Sequence, residues 1–120
     1  FDGKVRIWES FASGHAIVDV YKKFARDITS PRTWRQIADR MSRGFVVVIP
    51  TIEPDIIIIG GSVGTYFDRY ADLLRGTLRD HLPDHISLPK IVQARHPEEA
   101  VVYGCYYYGK DYLARKKTTA

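Results

Sequence analysis

One cysteine in 120 residues is the first constraint. Cys105 cannot close an intramolecular disulfide, and no zinc site built from several cysteines can form within these residues, which fits a reducing cytoplasm. Its setting in VVYGCYYYG reads as that of a small buried hydrophobe. No apolar run approaches the roughly 20 residues of a membrane-spanning helix, and no signal-peptide pattern opens the chain. A soluble, cytoplasmic protein without a membrane partner is therefore expected. Phe1 stands where an initiator methionine would be, so the chain reads as a piece of a longer one.

Charge of one sign is not in large excess either. Eighteen Lys and Arg against 14 Asp and Glu leave +4, too mild to point to nucleic acid by itself. The densest basic cluster, ARKKTTA at the C-terminus, reads as a solvated tail. His15, His81, His85 and His96 fall at no convincing ligand spacing and are assigned no chemistry. With 45% hydrophobic and 27% charged residues, residues 1–120 read as one ordinary domain.

The apolar positions give the elements. Ala16, Ile17, Val20, Phe24 and Ile28 share a helical face, with Ser13 as N-cap. Ser30 followed by Pro31 opens a second helix, and Trp34, Ile37, Ala38, Met41, Phe45, Val48 and Ile49 carry its stripe. The β-branched run FVVVIP would suit a strand, and Gly44 could mark a break, but the stripe stays in phase and a helix is expected. Pro50 and Pro54 then bracket a connection to IIII at 56–59, an apolar run of strand length that predicts a strand covered on both faces.

Thr65 and Asp68 have capping-box spacing, and Phe67, Tyr70, Ala71, Leu74 and Leu78 form the next stripe, ending at Leu82–Pro83. KIVQA reads as a second strand. HPEEA opens a last helix, with Pro97 early and two glutamates in its first turn. Ala100, Val101, Gly104, Cys105, Tyr108 and Tyr112 fall along its expected face.

The order α, α, β, α, β, α ends in a right-handed β-α-β unit with parallel strands. Two strands make a poor parallel sheet, so further strands are expected, either in GKVRIWE at 3–9 or upstream of Phe1.

Where IIII meets GGSVG, a strand ends in glycines and a helix starts, the place where open α/β sheets put ligands. Glycines permit positive φ and let a phosphate or a purine approach the backbone closely. The pattern is neither GxGxxG nor a P-loop. A tight turn alone would explain Gly60 and Gly61 equally well.

Three phrases in order break that tie: WESFASGHAI at 8–17, EPDIIIIGGSVGTYFDRY at 53–70 and EEAVVYGCYYYG at 98–109. Together they resemble the C-terminal lobe of the ROK family, named for repressors, open reading frames and kinases. The stretch from Trp34 through PDIIIIGG also resembles the polyphosphate glucokinase branch. The resemblance implies an α/β fold, the C-terminal part of an actin-like ATPase (ribonuclease H-like) domain with several packed helices. It implies a sugar kinase, glucokinase- or hexokinase-like, that phosphorylates a hexose hydroxyl with ATP or polyphosphate and magnesium.

By that resemblance Gly60, Gly61, Ser62 and Val63 contact ATP, and Glu9 hydrogen-bonds sugar hydroxyls. A carboxylate can accept two such bonds at once, and charge-assisted bonds are the stronger kind. Glu9 near a helix start could also merely complement the dipole. Where many members carry zinc-binding cysteines before Trp-Glu, Asp2 and Ile7 stand here. Isoleucine offers no ligand atom, so zinc is not expected.

The resemblance places the catalytic aspartate, the first phosphate loop and the partner N-terminal lobe upstream. The 120 residues alone are thus expected to lack kinase activity. ATP-dependent sugar phosphorylation by the isolated chain would overturn this. The alternative within the same family is the ligand-binding lobe of a sugar-sensing repressor, in which case nucleic acid is a partner of an upstream domain. Tyr103, Tyr106, Tyr107, Tyr108 and Tyr112 spread around their helix, which predicts an interface with the missing lobe or a second subunit, a homodimer.

Overall fold

A computed structural model describes residues 4–119. The centre of the fold is a pair of helices, α3 (Pro31–Ile52) and α5 (Ala71–His81), packed on each other and against a two-stranded sheet of β1 (Ile56–Ile59) and β2 (Lys90–Gln93). The strands run parallel, with Ile56 beside Lys90 and Ile59 beside Gln93. The chain is thus mixed α/β, mostly helical. Before this core come α1 (Glu9–Ala12) and α2 (Gly14–Tyr21); a short helix α4 (Gly61–Thr65) follows β1, and α6 (Ala100–Thr119) ends the chain. Three-residue 3₁₀ turns lie at Ala25–Asp27, Phe67–Arg69 and Pro97–Glu99.

The Ser13 hydroxyl accepts from the Ala16 N–H at 3.1 Å, so the expected cap opens α2. The helix does not run on to Ile28. Lys22 turns left-handed at φ 57° and ends it, and Phe24 is exposed while Ile28 is buried from the loop beyond. Nothing in YKKF signals this, because lysine is not a residue that usually takes that conformation.

The second helix forms from Pro31 and keeps FVVVIP within it. It also continues through Pro50 to Ile52, and Glu53, at φ 53°, stops it. The connection is therefore Glu53–Asp55 and is not bracketed by the two prolines. Pro50 has no N–H to give the carbonyl four residues before it, so the helix runs through it with one bond fewer before it ends.

Gly44 breaks nothing. A Cβ there would overlap the Trp8 indole, which lies edge-on to Phe45 at 5.2 Å and donates its Nε1–H to the Arg40 carbonyl at 3.2 Å. Gly44 is the seat by which the segment before α1 docks on α3. Gly44→Ala should therefore expel the indole and cost about 1–3 kcal/mol, with a red shift of tryptophan fluorescence. An unchanged emission spectrum would refute the seat.

Phe67, Tyr70, Ala71, Leu74 and Leu78 are all buried, as their spacing predicts. The helix itself is interrupted: Thr65 ends α4, Phe67–Arg69 is a 3₁₀ turn, and α5 starts at Ala71 without a side-chain cap. Thr65 and Asp68 form no capping box, since the Thr65 hydroxyl points instead to the Gly61 carbonyl and the Glu98 carboxylate.

Two further expectations fail. β1 is covered on one face only: Ile57, Ile59 and Ile91 face the helices, whereas Ile56 and Ile58 are exposed. In α6 the side chains of Val101 to Tyr108 are exposed, including Cys105, so beyond Ala100 the expected apolar face is not buried and the cysteine is not a buried one. Among the described residues GKVRIWE supplies no strand, and no helix is long and apolar enough to cross a membrane.

Candidate functional site

The glycine turn is built where β1 ends against α4, with no room for a side chain at Gly64. Gly60 is extended, Gly61 takes φ +73°, and α4 winds from there, the Gly64 N–H donating to the Gly60 carbonyl at 3.2 Å. A Cβ on Gly64 would stand 2.5 Å from the Ile59 carbonyl oxygen, so this glycine lets α4 lie on the end of the strand. A Cβ on Gly61 would meet nothing within 4 Å: its need for glycine is conformational, and its outer side is open.

The turn is fixed from three sides. The Tyr70 hydroxyl donates to the Val63 carbonyl at 2.9 Å, and Gln93 donates from Nε2 to the carbonyls of Gly64 at 2.9 Å and Thr65 at 3.3 Å. The Ala94 N–H donates to the Ile59 carbonyl at 3.0 Å. A Cβ on Gly60 would lie 3.1 Å from that of Ala100, so the start of α6 closes the third side.

Beside this turn lies a cleft of about 260 Å³, lined by Gly14, Phe24, Ala25, Arg26, Ser62, Tyr66 and Glu98. Gly14 lies close enough to α4 that a Cβ on it would come 2.6 Å from the Ser62 Oγ. The cleft has aromatic walls in Phe24 and Tyr66, a cation in Arg26, a carboxylate in Glu98 and a hydroxyl in Ser62. Such a mixture suits a planar polar ligand carrying negative charge. Its volume is below the roughly 300–1,000 Å³ usual for whole drug-sized ligands, so it suits part of a nucleotide.

Arg69 holds the far wall. One guanidinium nitrogen donates to the carbonyls of Ala25, Arg26 and Ile28 at 3.0–3.1 Å, while the group lies 4.8 Å over the Tyr66 ring. Arg69→Met should loosen the Ala25–Asp27 turn and cost about 1–2 kcal/mol, the low end for charged hydrogen bonds because the group is exposed. A urea midpoint equal to wild type would refute that role.

Of the residues expected to bind ATP, Ser62 lines the cleft. Gly60, Gly61 and Val63 form the turn behind it, with Val63 half-buried and held through its carbonyl. Glu9 is exposed on α1 and is not among the cleft-lining residues. Sequence reasoning missed Phe24, Arg26, Tyr66 and Glu98. The apolar spacing puts Phe24 on a core stripe, and only the early end of α2 frees it. Ile7 is exposed; Asp2, the other position of the expected cysteine replacement, lies outside the described residues. No protein-family model matches the chain, and no curated protein matches it.

Proposed function

We propose that the chain is the nucleotide-side, C-terminal lobe of a ROK-type sugar kinase with an actin-like ATPase fold, acting in the cytoplasm on a hexose hydroxyl with ATP. One observation carries this reading: the three phrases that resemble the family, far apart in sequence, supply Gly14, Ser62 with Tyr66, and Glu98 to a single cleft. A helical stripe or a turn glycine would not by itself gather them there.

In this reading the glycine turn approaches the nucleotide with its backbone, Ser62 and Arg26 meet polar or charged groups, and the rings of Phe24 and Tyr66 flank the base. Glu9 lies one element away and orients the sugar hydroxyls from α1. The attacking hydroxyl is deprotonated by an aspartate supplied by the upstream lobe. Positioning and charge stabilisation make up most of phosphoryl-transfer catalysis, so the contribution of this lobe is to hold the donor.

The test is phosphorylation of glucose, mannose, fructose and N-acetylmannosamine by the parent enzyme, with Glu9→Gln alongside. Turnover of one hexose is expected. The variant should lose about 10–100-fold in kcat/KM on that sugar, the value of one charged hydrogen bond, with ATP affinity unchanged. Sugar binding without turnover of any of the four would replace the kinase by a sugar sensor.

A further inference from the structure

The end of the sheet away from the glycine turn carries a cavity of its own. Its volume is about 320 Å³, at the lower edge of the roughly 300–1,000 Å³ of small-molecule sites. Glu53 and Asp55 bring two carboxylates to it from just before β1, while His85 and Ser87 bring a ring nitrogen and a hydroxyl from the loop before β2. Buried Ile49 and half-buried Ile86 add an apolar lining. Because β1 spans about 13 Å, this cavity and the cleft at Ser62 stand at opposite ends of the strand.

The charge here is left unanswered. Although the chain has 18 Lys and Arg, none of them lines the cavity, and neither Glu53 nor Asp55 is in an ion pair among the described residues. The helix adds to it. All 22 residues of α3 end at this point, with no basic residue in the last turn and Glu53 at the C-cap, where the helix dipole favours a cation. Pro54 also lacks the N–H that would serve the Pro50 carbonyl, which leaves that acceptor without its helical donor.

A metal ion does not fit this lining. No group of three His, Cys, Asp or Glu among the described residues is arranged to hold one, and an ion would gain nothing from Ile49 and Ile86. An organic cation uses both halves of the cavity.

We propose that this cavity binds a small organic amine, its ammonium between Glu53 and Asp55 and its apolar body on Ile49 and Ile86. An ammonium carries three donors and no acceptor, which matches carboxylates, a hydroxyl, a neutral imidazole nitrogen and a helix-end carbonyl. The apolar side chains then favour a hydrocarbon body over a bare ion.

Titration of the isotope-labelled 120-residue chain with phenethylamine, followed through its amide resonances, tests the site without resting on the kinase reading. Saturable shifts are expected at Glu53, Asp55, Ile86 and Ser87, with a dissociation constant on the order of 1 mM. Phenethyl alcohol keeps the ring and loses the charge, so it should bind about tenfold more weakly. Glu53→Gln combined with Asp55→Asn should bring the amine down to the level of the alcohol, and both side chains are exposed, so the fold should survive the change. The net charge of +4 repels a free cation, so general attraction to the chain would not give this pattern. An absence of saturable shifts up to about 20 mM, equal binding of amine and alcohol to wild type, or unchanged amine binding by the double variant would each overturn the proposal. So would saturable shifts confined to the cleft at Ser62.

Discussion

Tyr70→Ala is expected to remove about 3–5 kcal/mol of stability, the usual cost of deleting a buried aromatic side chain. That is a fifth or more of the roughly 5–15 kcal/mol a small domain has in total, so the variant should unfold at a much lower temperature than wild type. Tyr70 has no exposed surface and is the point where three elements meet. Its ring stacks on Trp34 of α3 at 5.8 Å, meets Phe67 edge-on at 5.9 Å, and its hydroxyl reaches the Val63 carbonyl in α4. Trp34 is itself pinned, donating from Nε1 to the Ile28 carbonyl at 2.8 Å. An unfolding free energy in urea lowered by less than about 1 kcal/mol would show that the core closes without this residue.

Tyr70→Phe separates the ring from the hydroxyl. The stacking survives and one hydrogen bond is lost, for about 1 kcal/mol at neutral pH. Burial pushes the Tyr70 hydroxyl well above its usual value of 10.0 by penalising the charged form. The folded chain therefore holds this proton more tightly than the unfolded chain does. The resulting stability is present in full below the unfolded value and is lost as pH rises through the folded one. Wild type should lose up to about 1.4 kcal/mol per pH unit above pH 10 from this group, and the phenylalanine variant should lack that component. Parallel pH profiles for the two proteins would refute the burial argument.

The difference between legible and illegible features has a physical cause. Ser13, Pro31 and the 67–78 stripe act through neighbours within a turn, so they could be read locally, although Ser30 holds the N-cap position without a side-chain cap bond. Even the break at Tyr70 leaves the burial pattern intact, because a 3₁₀ turn keeps the chain heading roughly the same way. Features that depend on a remote partner could not be read. Gly44 looks like a helix breaker until Trp8 is seen against it. Phe24 looks like core until Lys22 ends the helix, which takes it to the rim of the cleft. The α6 face is apolar in sequence, yet from Val101 to Tyr108 it is exposed in the fold. At the candidate site, strand, glycine turn and helix start were legible, whereas Arg26, Tyr66 and Glu98 reach the cleft only through tertiary packing.

Gly64→Ala is expected to be the most damaging single change in the glycine turn, at about 2–4 kcal/mol, because the added carbon has no place to go. It would meet the Ile59 carbonyl oxygen at 2.5 Å and the Pro97 Cβ at 3.5 Å. The nearer atom is backbone, and that carbonyl already accepts from the Ala94 N–H, so it cannot swing aside without loosening the chain where it leaves β2. Gly61→Ala makes the contrast. Its new Cβ has open space, and only the positive φ resists it, for about 1–2 kcal/mol. The Gly61 variant should keep the cooperative unfolding of wild type, and the Gly64 variant should lose the Tyr70–Val63 and Gln93–Gly64 contacts that hold the turn. On the kinase reading proposed above, this ordering extends to ATP affinity, with Gly64→Ala weakening it more than Gly61→Ala. If Gly61→Ala proves the more destabilising of the two, the turn is limited by backbone strain, and the packing of α4 on the end of β1 is not what shapes the cleft.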